Sequence, residues 1–132
     1  MLFEDEYSEL MFIAEDDLES AKILAKHYKP KIEISCYHCQ QSAEKSLKAF
    51  LSFHNVNFKF IHDLEYLCKD CQVIDLDFSL LLNECKTLNK YITQTRYKRS
   101  YMLTEYQMNQ AIQYAEKILN FVKEKTIVNS KF

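Results

Sequence analysis

Basic and aromatic residues alternate in Arg96-Tyr97-Lys98-Arg99-Ser100-Tyr101. Guanidinium groups grip phosphate through two parallel hydrogen bonds, and a tyrosine ring offers a face on which a base can stack. The segment sits in a wider basic stretch. Between Cys85 and Thr104 there are five bases (Lys86, Lys90, Arg96, Lys98, Arg99) and no acid. Such a local excess attracts phosphate, although a solvated surface turn has the same composition. A second set, Gln41, Glu44, Lys45 and Lys48, recurs at spacings of three and four, which places it on one face of a helix. Exposed, the Glu44–Lys48 pair is ordinary solubilising surface, and that is the more economical reading of the spacing. Partly buried, the same set can orient a ligand phosphate or brace a helix interface.

Cysteine spacing raises another chemistry. Cys36-x-x-Cys39 and Cys68-x-x-Cys71 could supply four thiolates to a tetrahedral zinc site. Both pairs fall inside helical patterns, however, and Cys36 and Cys39 coincide with an apolar stripe. There a free cysteine packs as a small hydrophobe, so zinc is the lesser alternative and no metal site is expected. His38 lies between Cys36 and Cys39, but nothing nearby lowers a thiol pKa enough to make a Cys/His nucleophile.

These residues need elements to position them. Tyr7, Leu10/Met11, Ala14, Leu18, Ala21, Ala25 and Tyr28 form one stripe of a long first helix, which must stop near Lys29 because Pro30 follows. A second helix spans about 33–54, with Cys36, Cys39, Ala43, Leu47 and Phe50 facing inward. After a connector, Asp63 caps a short helix reaching about Asp70. Residues 73–80 alternate like a strand, yet Phe78, Leu81/Leu82, Cys85, Leu88 and Ile92 continue at helical period. A fourth helix over about 77–95 is therefore expected, since an isolated strand would lack a partner. Arg96 would emerge one turn beyond Ile92. Thr104 and Gln107 form a capping box, and the last helix buries Met108, Ala111/Ile112, Ala115, Ile118/Leu119 and Val122. It is expected to fray near Thr126 into a polar tail. The predicted fold is all-α, an up-and-down bundle of four long helices plus one short helix.

Composition narrows the class. The 132 residues suit a single domain, with its core over about 7–125. With no glycine, the chain cannot build a P-loop or a dinucleotide-binding turn. The formal charge of −2 hides an asymmetry: residues 1–19 carry eight acids and no base, and all 17 Lys and Arg follow. No apolar run approaches the roughly 20 residues of a membrane helix. Acids at positions 4–6 argue against a signal peptide, and five cysteines suit a reducing cytoplasm.

In order, these pieces resemble the HEPN family, the higher eukaryote and prokaryote nucleotide-binding domain. The resemblance rests on Asp17-Leu18-x-x-Ala21, on Cys36-Tyr37-His38-Cys39-Gln40-Gln41-Ser42-Ala43-Glu44-Lys45-Ser46-Leu47-Lys48-Ala49, on His62-Asp63-Leu64-x-x-Leu67 and on Arg96-Tyr97. It covers about 17–122. It implies a four-to-five-helix bundle that forms a homodimer, with a nucleotide or RNA site near the dimer groove. It further implies work beside a minimal nucleotidyltransferase, commonly in a toxin–antitoxin pair. Arg96, Tyr97, Lys98, Arg99, Tyr101, Lys45 and Lys48 are then the expected phosphate and nucleotide contacts. Gln41, Glu44, His62 and Asp63 would shape the groove or the dimer. Other members are metal-independent ribonucleases that use an Arg and a His with four to six residues between them. Here the corresponding positions are Tyr101, Met102 and Leu103 after Arg96, or Thr104, Glu105 and Tyr106 after Arg99, and no His follows His62. No residue is therefore assigned a catalytic role, no cofactor is expected, and an endoribonuclease toxin or a purely protein-binding bundle stand as alternatives. The central expectation is that cations past the fourth helix converge with those of the second on one anion-receptive cleft.

Overall fold

The computed structural model describes residues 5–58, 60–92 and 102–127. These form an all-α bundle with no strand among the described residues. Helix α1 spans Glu6–Lys26, α2 spans Ile32–Phe53, α3 spans Leu64–Ile74, α4 spans Leu82–Leu88 and α5 spans Glu105–Ile127. The long helices α1, α2 and α5 make the frame. Helix α2 lies at its centre, packed on α1 and α5 and flanked by α3 and α4.

The caps follow from local chemistry. Asp5 accepts the Ser8 amide at 2.8 Å to start α1. The Thr104–Gln107 box forms in full: the Thr104 amide donates to Gln107 Oε1 at 2.9 Å, and the Gln107 amide donates to Thr104 Oγ1 at 3.2 Å. Without glycine, the chain uses Asn55 (φ 59°) for the left-handed turn after α2, a conformation asparagine tolerates better than most residues.

Periodicity located the core well. Leu10, Met11, Ala14, Leu18 and Ala21 of α1 are buried, as are Cys36, Cys39, Ala43, Leu47 and Phe50 of α2. Met108, Ala111, Ala115, Ile118, Leu119 and Val122 of α5 join them. Tyr28, assigned to the first stripe, is exposed instead, because α1 ends at Lys26 before its ring can turn inward. The last helix reaches Ile127, and the buried Thr126 hydroxyl bonds Tyr7 Oη at 2.7 Å; the expected polar tail from 128 onward lies outside the described residues.

The fourth helical segment departs from the expected single rod. It runs as a 3-10 turn over Leu76–Leu81, then α4, then a second 3-10 turn over Asn89–Tyr91. Phe78, Leu81, Cys85 and Leu88 are buried along it as the period predicts, whereas Ile92, the last residue of that stripe, is exposed beyond the second 3-10 turn. Asp75 ends α3 and caps the first 3-10 turn, accepting the Asp77 amide at 3.0 Å. The tighter turn lays Phe78 against Phe50 and Phe121, with ring centroids 4.3 and 4.9 Å apart. Residues 93–101, which include the expected end at Thr95, lie outside the described residues.

Candidate functional site: a buried carboxylate on the central helix

Because α2 is covered on several sides, its polar positions cannot all reach water. Ser35, Gln40, Ser42, Glu44, Ser46 and Lys48 are buried along with the apolar stripe. The serines bond main-chain carbonyls: Ser35 to Ala21, Ser42 to Ala14 and Ser46 to Ser42. That satisfies their hydroxyls and lets α1 approach α2 closely.

Glu44 is the focus, and its side chain is 0% exposed. Four side chains meet it. Lys48 Nζ donates to Oε2 at 2.9 Å and Lys45 Nζ to the same oxygen at 3.3 Å. His62 Nδ1 sits 3.1 Å from Oε1, and Gln40 Nε2 donates to Oε1 at 3.4 Å. Burial raises the pKa of this carboxyl, but the Lys48 hydrogen bond, the Lys45 charge and the His62 hydrogen bond outweigh it and hold it below the ordinary glutamate value. The Glu44–Lys48 pair is thus interior, contrary to the exposed reading that its spacing favoured. A helix of alternating charge cannot reveal that neighbours cover it on both sides.

The cluster is graded from inside to outside. Lys48 is 8% exposed and its ammonium lies 5.5 Å from the centroid of the Phe58 ring, so it is committed to the interior. Lys45 is 22% exposed and His62 is 60% exposed, so these two present the cluster to solvent. Gln41 links the rows, donating to Gln40 Oε1 at 2.8 Å and accepting from Lys45 Nζ at 3.5 Å.

His62 is placed by the loop before α3. Gln40 Nε2 donates to the His62 carbonyl at 3.1 Å. Asp63 caps α3, accepting the Glu65 and Tyr66 amides at 3.0 and 3.3 Å. Asn89 then clamps this loop from the second 3-10 turn: Nδ2 donates to Asp63 Oδ1 at 2.8 Å, and Oδ1 accepts the Leu64 amide at 2.8 Å. Gln40 and Asn89 were missed in the sequence. Gln40 stands four residues before Glu44, a spacing that could have flagged it, whereas nothing local marks Asn89.

A second carboxylate–imidazole contact also escaped the sequence reading. Asp17 of α1 lies 2.9 Å from His38 Nδ1 of α2, both partly buried. Burial raises the Asp17 pKa, with the His38 hydrogen bond and charge and the Lys45 charge opposing it. The field of Lys45 therefore reaches both Asp17 and Glu44.

Arg96, Tyr97, Lys98, Arg99 and Tyr101 lie outside the described residues. The chain enters that segment through Asn89 and Ile92, and Asn89 is bonded to Asp63, the neighbour of His62. Four residues past Ile92 span at most about 14 Å. The two CxxC pairs supply no ligand set: among the described residues no three His, Cys, Asp or Glu side chains are arranged to hold a metal ion. Burial pushes the Cys36 thiol up to about 12 and raises Cys39 and Cys71 as well. Elsewhere, a hollow of about 420 Å³ between α1 and α5 has five charged lining residues. Four close on one another, Lys22 with Glu116 at 2.8 Å and Lys123 with Glu15 at 2.6 Å. No described helix is long and apolar enough to cross a membrane.

Comparison with known proteins gives the same picture. The archaeal HEPN homologue ST0689 is 28% identical, with a TM-score of 0.73 over 91% of this chain and 97% of that one. TT1696 from Thermus thermophilus is 24% identical and shares the fold, with a TM-score of 0.74 over 92% and 98% of the two chains. No curated protein matches. The HEPN domain family itself matches residues 7–125, the stretch that contains nearly the whole helical frame and the Glu44 cluster, and the chain belongs to that family.

Proposed function

We propose that this HEPN domain binds the phosphate of a nucleotide or RNA in a groove floored by α2, and that it works as a homodimer beside a minimal nucleotidyltransferase. The observation that carries the reading is the Glu44 cluster. A fully buried carboxylate holds two ammonium groups and an imidazole, and turns Lys45 and His62 outward. A helix brace needs only the interior Lys48 contact; the outward pair is what an anion would meet. Arg96, Lys98 and Arg99 are proposed to add the remaining positive charge, and Tyr97 or Tyr101 a stacking face. The last described residues before that segment, Asn89 to Ile92, follow from the Asn89 clamp on the loop that carries His62. Family membership supports the ligand class and the nucleotidyltransferase partner.

Calorimetry with ATP and with a short RNA tests the reading on wild type, Lys45→Ala and Arg96→Ala. Wild type is expected to release heat with at least one ligand, and each variant to bind about tenfold more weakly, as for loss of one charge-assisted phosphate contact. Absence of binding by wild type overturns the function. Equal heats for wild type and Arg96→Ala remove that residue's role.

A further inference from the structure

We infer that His38, anchored by Asp17, is a further phosphate contact of the α2 groove, so that the ligand spans two anion positions and binds with uptake of protons. This rests on the phosphate-binding reading above and extends it to a residue that reading does not use.

Geometry comes first. His38 and Lys45 are seven residues apart on α2, two turns along one face and about 10 Å in rise. Gln41 occupies the turn between them. Both histidines of the groove touch a carboxylate through Nδ1: His38 to Asp17 at 2.9 Å and His62 to Glu44 at 3.1 Å. A carboxylate that only accepts fixes the Nδ1–H tautomer and leaves Nε2 of each ring for a ligand. One phosphate directly over Lys45 cannot also cover His38 two turns away. The fitting chemistry is a run of consecutive phosphates, from either an RNA strand or a nucleoside triphosphate.

Charge then sets the condition. The carboxylates Asp17 and Glu44 offset the ammonium groups Lys45 and Lys48, and Asp16 adds a further negative charge beside Asp17, so the floor of the groove carries no excess positive charge while both imidazoles are neutral. Each imidazolium adds one positive charge. His38 meets Asp17 of α1 and the Tyr37 ring of α2, and Asp17 in turn feels Asp16 of α1 and Lys45 of α2 and acts on the buried Cys39 thiol. Those around His62 are Glu44, Lys45 and Lys48 from α2, with Asp63 turned away to Asn89. A protonated imidazole at either position strengthens the attraction of the groove for phosphate.

The experiment measures binding of a labelled single-stranded RNA and of ATP at about pH 6 and about pH 8, for wild type, His38→Gln and His38→Lys. Thermal unfolding of each variant checks that it folds. Wild type should bind more tightly at the lower pH by about tenfold. His38→Gln should lose about fivefold at the lower pH and nothing at the higher, while His38→Lys should bind well at both. A purely structural His38–Asp17 contact would lower the melting temperature of His38→Gln and leave affinity unchanged, which overturns the inference. Equal wild-type affinity at the two pH values overturns it too, with the parent reading intact. Failure of wild type to bind either probe removes both. A pH effect on either probe that His38→Gln cuts by about fivefold supports the inference and identifies which source of phosphate the groove takes.

Discussion

Lys48 Nζ lies 2.9 Å from Glu44 Oε2 with both side chains inside the bundle, one helical turn apart on α2. At the surface such an i,i+4 pair contributes a few tenths of a kcal/mol. In the interior each partner is required by the other, because a lone buried charge is costly.

The first prediction follows from that asymmetry. Glu44→Ala should lower the unfolding free energy by roughly 3–5 kcal/mol, since it strands the Lys48 ammonium. The double variant Glu44→Gln with Lys48→Met should recover much of the loss by removing both charges. Urea titrations of wild type and the two variants decide it: a double variant no more stable than Glu44→Ala would mean that the pair is not what the site needs.

The pH dependence of stability has a definite sign. The folded-state pKa of Glu44 is below its ordinary value of 4.5. Its contribution is therefore present above about pH 4.5 and lost as pH falls through the lowered value. Asp17, raised above 3.8, acts oppositely, favouring the folded state on the acid side of its shifted value. Glu44→Gln should flatten the acid limb of a melting-temperature profile below about pH 4.5. A profile parallel to wild type there would contradict the assignment.

Asn89 predicts a local effect. Removing its two hydrogen bonds with Asn89→Ala should cost about 1–3 kcal/mol and loosen the loop that carries His62. Asn89→Asp should be worse, because it sets a second carboxylate against Asp63. Hydrogen exchange at the Leu64–Leu67 amides should accelerate in both variants; unchanged protection would show that the clamp is dispensable.

The cysteines should behave as core atoms. All five are buried free thiols. Reaction with a thiol reagent should be slow in the native protein and quick after unfolding, and prolonged chelation with EDTA should leave the melting temperature unchanged. A drop in melting temperature on chelation would indicate a metal that the core geometry does not provide for.

The amino-acid order by itself determined the class of fold and most of the core. A stripe at helical period records burial directly, as in Leu10 to Ala21 or Met108 to Val122, because one face of each helix must leave water. Caps are equally local, so Asp63 and the Thr104–Gln107 box were legible. Tertiary structure alone decided the rest. Glu44 and Lys48 look like any exposed pair until α2 is enclosed by its neighbours, and burial depends on those distant elements. Asp17 with His38, and Asn89 with Asp63, are contacts between residues 21 and 26 positions apart, made only when the helices pack. The broken fourth segment belongs to the same class: its inward face was readable, but whether a turn tightens depends on the two phenylalanine rings that Phe78 meets.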